Sequence, residues 1–446
     1  TVLERMVRLG YISQEEANQA FETPLNFVNQ ETYIKAPHFV FYVRSLLEEK
    51  YGKALVEEGG LIVKTTLDMN LQEKVQKLVK NGVEANSKLG LSNGASVVLD
   101  ARTGGILAYV GSVDFFREDW GAYDIVQALR QPGSSIKPVT YSLALSSGFT
   151  PASVILDSPV SFPQAGQAPY RPVNYDGRYH GNVTLRQALA NSYNIPAVKL
   201  AQKVGPENIA SLGASMGLKS WENSSSDYGL AITLGSKEVK LLELANVYGT
   251  LARQGTYLPT NPFLSVRDSR GRELLPSGYD QNFYGQNLDS QNVLDAGVAF
   301  LISDILSDNV ARTPAFGSNS PLNVPGRKVA VKTGTTDLKR DNWTFGYTPS
   351  YVVGVWVGNN DNSPMSSYLA SGLTGAAPIW RSIMDLVLLD TPVEDFEIPN
   401  NVILKEYKPC GKKEYFISGT EPANICPVVK TKKDSETKSN KEKNKR

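Results

Sequence analysis

Pro132-Gly133-Ser134-Ser135-Ile136-Lys137-Pro138 is the stretch from which the rest of the chain is read. It sets a serine hydroxyl and a lysine amine three residues apart at what the spacing predicts is the first turn of a helix. On such a turn Ser134 and Lys137 share a face, within hydrogen-bonding reach. A hydroxyl is a weak nucleophile until a neighbour takes its proton, and an adjacent amine of lowered pKa can do so. Pro132-Gly133 breaks the preceding segment and lets backbone approach closely. Val139, Leu143 and Leu145 mark the following helix as buried, which places Lys137 where desolvation favours the neutral amine. Taken alone, S-x-x-K is equally an ordinary helix cap followed by a surface lysine.

Two further segments weigh against that plain reading. Ser192-Tyr193-Asn194 follows the helical run Thr184-Leu185-Arg186-Gln187-Ala188-Leu189-Ala190. Val329-Ala330-Val331-Lys332-Thr333-Gly334-Thr335 is a short apolar strand running into Lys-Thr-Gly-Thr. In chain order these give S-x-x-K, S-x-N and K-T-G, the signature set of penicillin-recognising serine enzymes. Each motif is weak by itself; the ordered set is specific.

On these residues the sequence resembles the transpeptidase domain of the class A (bifunctional) penicillin-binding proteins. Arg130-Gln131-Pro132-Gly133-Ser134, Pro172-Val173-Asn174-Tyr175-Asp176-Gly177, Asn194-Ile195-Pro196-Ala197-Val198, Leu234-Gly235-Ser236-Lys237-Glu238 and Asn342-Trp343-Thr344-Phe345-Gly346-Tyr347-Thr348-Pro349 carry the likeness further. It runs from about residue 60 to about residue 390. Arg5-Met6-Val7-Arg8-Leu9-Gly10-Tyr11-Ile12-Ser13 is similar to the tail of the glycosyltransferase domain that precedes the transpeptidase in these proteins. The resemblance therefore implies the C-terminal part of a longer protein, with a membrane anchor upstream and the transpeptidase on the outer face of the cytoplasmic membrane. Overall likeness and the Lys-rich C-terminus point to a Gram-positive source.

The resemblance also implies roles. Ser134 is expected to attack the carbonyl of a terminal D-Ala-D-Ala bond of a peptidoglycan stem pentapeptide, with Lys137 as base. Ser192 and Lys332 would relay a proton to the leaving amine, and Asn194 would hold a stem-peptide amide. The N–H groups of Ser134 and Thr335 would form the oxyanion hole. Thr333 and Thr335 hydroxyls suit the substrate carboxylate. Gly334, lacking a Cβ, would let substrate backbone lie against the strand edge. A second stem peptide supplies the acceptor amine, β-lactam antibiotics acylate the same serine, and no cofactor is implied. Each residue also has a structural alternative: Asn194 as a cap for Ile195-Pro196, Lys332-Thr333-Gly334 as a strand end turning to solvent.

Composition sets limits. The 446 residues exceed one ordinary domain, and 41% apolar residues suffice for a sizeable core. A net charge of +1 gives no sign of a nucleic-acid partner. No apolar run is long enough to span a membrane. The two histidines, His38 and His180, and the two cysteines, Cys410 and Cys426, show no metal-ligand spacing. A Cys410–Cys426 bridge would close a loop of about 15 residues, worth about 3 kcal/mol in the chain-entropy model; two unpaired thiols are the alternative.

Along the chain, residues 1–66 read as the glycosyltransferase end and a linker module, with an amphipathic helix over 36–59 and a strand at Leu61–Thr66. Asp68 begins a helix from Leu71 to Val83. Ser96–Asp100 and Ile106–Val110 flank a hairpin signal, Ala101-Arg102-Thr103-Gly104-Gly105. A largely helical middle runs from about 137 to 310 before the Lys332 strand, the strand Tyr351–Val357 and a helix at 376–389. The expected architecture for 67–390 is α+β, an antiparallel sheet flanked by helices with a helical subdomain. Residues 391–429 read as a small β-rich module, and 430–446 as a disordered Lys-rich tail.

The rivals are few. Gly213-Ala214-Ser215-Met216-Gly217 fits a nucleophile elbow, but that fold puts its histidine after the serine, and both histidines precede it. A carboxypeptidase or β-lactamase uses the same constellation and passes the acyl group to water. The middle motif is Ser-Tyr-Asn where class A β-lactamases have Ser-Asp-Asn. Glu222 stands at a loosely suitable place for their deacylating glutamate, in a segment that does not resemble that loop. A penicillin sensor, acylated without turnover, is the third reading; its kind carries no glycosyltransferase tail.

Overall fold

A computed structural model describes residues 2–23, 34–164, 166–222, 228–275, 290–366, 371–407 and 411–423. The chain forms two compact units, Thr1–Lys35 and Ala36–Arg446. The first contains helices Val2–Arg8 and Gln14–Glu22. Ser13 opens the second of these with a reciprocal capping box: Glu16 N donates to Ser13 Oγ, and Ser13 N donates to the Glu16 carboxylate.

The second unit is built on a five-stranded antiparallel sheet. Its spatial order is Ala330–Thr335, Asp341–Tyr347, Tyr351–Gly358, Asn93–Asp100, Ile106–Val110. The three central strands are buried along nearly their whole length on both faces, and Tyr351–Gly358 reads as a near-continuous run of valines and aromatics. On one face Val98, Val110, Val331, Val353, Val355 and Val357 meet helices Met69–Ala85 and Ala376–Leu388, through Val75, Val79, Ile379, Trp380 and Ile383. Asp68 caps the first of these helices, accepting from Asn70 N and Leu71 N. On the other face Val97, Leu99, Phe345 and Tyr347 meet helix Leu241–Ala252 and the helical subdomain. The protein is α+β, with an antiparallel sheet between helical layers.

Between the sheet's two halves lie helices Lys137–Ser146, Leu185–Ala190, Asn194–Val204, Pro206–Met216, Leu241–Ala252, Ala296–Ser307 and Asn309–Phe316. Among the described residues small strand pairs interrupt this middle: Val154–Asp157 with Gly181–Thr184, Phe162–Gln164 with Gln167–Tyr170, and Thr256–Tyr257 with Gln291–Asn292. The single helix expected over 36–59 is two, Pro37–Tyr51 and Lys53–Glu58, because Gly52 turns into the left-handed region (φ 81°) and closes the first. Strand Ile62–Thr65 pairs with Phe263–Arg267.

After the last long helix, Val402–Tyr407 and Lys412–Ile417 form a hairpin. Phe416 is buried and Tyr415 packs edge-on against Phe300 of helix Ala296–Ser307. Arg186 ties this hairpin to the middle of the unit. Its guanidinium donates to Glu414 (Nε to Oε2, 2.7 Å), Asp304 (2.6 Å) and Asp308 (3.1 Å). Burial opposes its charge, but Glu414 and Asp304 more than offset that, so the guanidinium is held protonated. Cys410, Cys426 and the tail 430–446 lie outside the described residues. Among the described residues no helix is long and apolar enough to cross a membrane.

Candidate active site

Ser134 lies in a 3₁₀ turn, Gly133–Ile136, and Lys137 is the first residue of the α-helix that follows. The sequence predicts an α-helical first turn for both; the tighter turn arises because Pro132 O accepts from Ser135 N and from Ser135 Oγ (2.6 Å), drawing the backbone inward. Tyr248 Oη donates to Ser135 O (2.7 Å) and Trp343 Nε1 to Gln131 O (2.8 Å), fixing the turn from both sides.

The turn is pressed against the edge strand Ala330–Thr335. Gly133 has φ 55°, and a Cβ there would stand 2.5 Å from Thr335 O. A Cβ on Gly334 would stand 2.4 Å from Pro132 O, and one on Gly235 2.3 Å from Gly133 N. The bare glycine of Lys-Thr-Gly thus clears the serine turn itself. Thr336 N donates to Asp341 O. The antiparallel alternation therefore directs the N–H and C=O of Thr333 and Thr335 to the sheet's open edge.

Lys137 is completely buried, and its Nζ donates to Ser192 O (2.6 Å), Asn194 Oδ1 (2.7 Å), Tyr193 O (3.2 Å) and Ser192 Oγ (3.4 Å). The Ser134 hydroxyl is not among these partners; in the 3₁₀ turn the amine reaches to the Ser192-Tyr193-Asn194 segment instead. These oxygens favour the ammonium. Burial and, next, the charge of Lys332 favour the amine and outweigh the opposing Asp337, so the pKa is driven well below that of an ordinary lysine. Lys332, also buried, donates to Ser192 Oγ (2.8 Å) and Thr333 O (2.8 Å). Burial first, then the charge of Arg312, bring it down to about 7.

Ser192 is held in the left-handed region (φ 60°), a costly place for a residue with a Cβ. Asn194 starts helix Asn194–Val204; its Oδ1 receives Lys137 and its Nδ2 donates to Val173 O (2.8 Å). Thr333 is buried on the Lys332 strand, and Thr335 Oγ1 accepts from Gly372 N (2.8 Å). Lys137, Ser192, Asn194 and Lys332 thus form one hydrogen-bonded network, and glycine contacts bring Ser134, Gly334 and Thr335 alongside it. A cavity of about 830 Å³ continues past this edge, lined by Gln131, Thr336, Asp337 and Asp341 with Trp120 and Tyr123.

Nothing local in Pro172–Gly177 marks any residue for the site. Asn174 proves to be the brace of the second motif: its Oδ1 accepts from Asn194 N (2.8 Å) and Ile195 N, capping that helix from a distant loop. Arg312 was also missed; nothing local marks a helical arginine as facing Lys332. Ser215 donates its hydroxyl to Leu212 O inside helix Pro206–Met216. Glu222 is exposed and paired with Lys219 (2.7 Å), and it takes no part in the network. Among the described residues no cluster of three or more His, Cys, Asp or Glu is arranged to hold a metal.

Comparison with known proteins gives a consistent picture. A family model for the penicillin binding protein transpeptidase domain matches residues 94–385. Penicillin-binding protein 2D of Bacillus subtilis is 30% identical over 462 aligned positions, covering 97% of this chain and 63% of its own length. Penicillin-binding protein 1A of Aquifex aeolicus is 30% identical, covering 95% of this chain and 68% of its own. The chain thus spans roughly two thirds of the length of these relatives. Among solved structures, penicillin-binding protein 1A from Haemophilus influenzae superimposes with a TM-score of 0.79 at 23% identity, over 96% of this chain and 82% of that one. PonA1 from Mycobacterium tuberculosis, in complex with penicillin V, gives 0.68 at 24% identity, over 82% and 96%.

Proposed function

This chain belongs to the penicillin-binding protein transpeptidase family, and from that premise we propose that it is a serine D,D-transpeptidase. It cross-links peptidoglycan stem peptides through an acyl-enzyme on Ser134. The observation that carries the reading is the buried network in which Lys137 and Lys332 both reach Ser192.

In the proposed reaction, neutral Lys137 takes the Ser134 proton as Oγ attacks the D-Ala-D-Ala carbonyl. The oxyanion is received by the N–H groups of Ser134 and Thr335, the latter on the open strand edge. The proton taken by Lys137 passes through Ser192 Oγ, which Lys137 contacts and Lys332 holds, to the departing D-alanine amine, and the acyl group remains on Ser134. An acceptor amine from a second stem peptide then attacks, its proton returns through the same groups, and Ser134 is released. Thr333, Thr335 and Lys332 receive the substrate carboxylate, Asn194 a stem-peptide amide, and Gly334 lends its backbone to the strand edge. A β-lactam enters by the same route, but its leaving amine stays tethered after ring opening. Glu222, the glutamate placed nearest to the deacylating position by sequence, is exposed and paired with Lys219, and this supports a persistent adduct over a β-lactamase cycle. In the whole protein an upstream glycosyltransferase domain and membrane anchor would place this part on the outer face of the cytoplasmic membrane.

Intact-mass analysis with penicillin, peptide mapping and a time course tests the reading. One adduct on Ser134 that persists for hours supports it, and a Ser134→Ala chain that still forms a stable adduct overturns it. Release of hydrolysed drug would favour the lactamase reading. Transfer of a stem-peptide acyl group to an added amine, rather than to water, separates the transpeptidase from a carboxypeptidase and from a sensor.

A further inference from the structure

We propose that His180 is a positioning residue for Ser192-Tyr193-Asn194, acting through its stack on Tyr193 and its contacts with two carboxylates; this rests on the transpeptidase reading. The His180 and Tyr193 rings lie 3.9 Å apart and 14° from parallel. His180 Nδ1 is 2.6 Å from Asp157 Oδ2, and Nε2 is 3.2 Å from Asp176 Oδ2. Each carboxylate oxygen can accept only from a ring N–H. His180 N also donates to Asp157 Oδ2 (3.0 Å), which fixes the ring's origin as well as its tip.

Asp157 is fully buried and holds a second partner. Asn174 Nδ2 donates to both its oxygens (3.0 and 2.8 Å), while Asn174 Oδ1 caps the helix that begins at Asn194. One carboxylate therefore anchors both the ring stacked on Tyr193 and the amide behind Asn194. Lys199, on that same helix, is engaged at Leu156 O (2.6 Å), next in sequence to Asp157.

What this brace holds is the costly part of the site. Ser192 sits at φ 60°, a conformation that persists only where the surroundings over-determine it. Its carbonyl and that of Tyr193 are acceptors for Lys137 Nζ. If Tyr193 shifts, the acceptors of the proposed base shift with it, and so does Ser192 Oγ. The catalytic groups remain present but misaligned, which slows the chemical step more than it weakens binding.

The test is single-turnover acylation of Ser134 by a fluorescent penicillin, resolved into noncovalent affinity and acylation rate, for wild type, His180→Ala and His180→Phe. His180→Ala is expected to slow acylation about 10- to 100-fold with affinity unchanged. His180→Phe, which keeps the stack and loses the carboxylate contacts, should recover part of the rate. Wild-type acylation by His180→Ala overturns the proposal, as does a loss confined to affinity, or one that Phe does not relieve. If His180→Ala loses its thermal transition, His180→Phe against wild type decides, an unchanged rate refuting the carboxylate contacts. A wild-type chain that takes no penicillin refutes the transpeptidase reading, and this proposal falls with it.

Discussion

At the scale of single residues, the decisive property is that two lysines are buried side by side near one serine. Lys332 moves from 10.5 to about 7 on folding. Between those values the unfolded chain binds more protons than the folded one, so this site's contribution to stability rises with pH through that window and is lowest below it. Lys332→Met removes the cost of burying the ammonium. Its thermal midpoint, relative to wild type, is therefore expected to be more favourable at about pH 6 than at about pH 9. Equal differences at the two pH values would show that the amine is not depressed. The same variant should acylate at least about 100-fold more slowly with penicillin, as expected when a positioned proton carrier is lost. The residue identities of the network were legible in the sequence because three short motifs occur in one order. The partners of Lys137 were not: they depend on a 3₁₀ turn and a left-handed serine, both set by contacts far away in the chain.

At the scale of elements, the serine turn and the Lys332 strand work as one piece because three glycines from distant segments meet. Gly334→Ala would push its Cβ against Pro132 O and Ser135 Oγ. We expect a loss of about 1–3 kcal/mol in denaturant unfolding, typical of overpacking a closed contact, together with slower acylation as the turn is displaced. A variant of wild-type stability and rate would mean that the turn floats free of the strand. The strands themselves were readable from apolar runs and from the hairpin signal at Ala101–Gly105. So were the helices capped by Asp68 and Thr184, where a side-chain oxygen meets a backbone N–H within three residues. Close approach was readable at Gly133 and Gly334, but not that these two meet each other's segments and Gly235, since nothing local to a glycine says which distant backbone approaches it.

At the scale of the whole molecule, Arg186 joins the C-terminal hairpin to the helix that leads into Ser192. Glu414 is 4% exposed, so removing it strands part of a buried guanidinium. Glu414→Ala is expected to cost about 3–5 kcal/mol, read as a lowered midpoint in thermal denaturation; an unchanged midpoint would show that Asp304 and Asp308 suffice. The α+β class was legible because strands at both ends of the domain enclose a helical stretch. The long-range charge cluster was not, as its members are spread from residue 186 to residue 414 with no local pattern.

The sheet's connectivity also bears on synthesis. Strand Asn93–Asp100 has the last strand, Tyr351–Gly358, as one neighbour, and Ser96 Oγ donates to Gly354 O 258 positions later. Such pairing is slow to form, because loop closure comes before any reward from the contact. A growing chain holds its early, doubly buried strands without their central partner until nearly the whole domain has emerged. The serine turn likewise lacks the Lys332 strand it packs against until then. Acylation by penicillin accordingly reports that the domain has closed, and a nascent chain ending short of Gly358 should remain unlabelled even though Ser134 is already present.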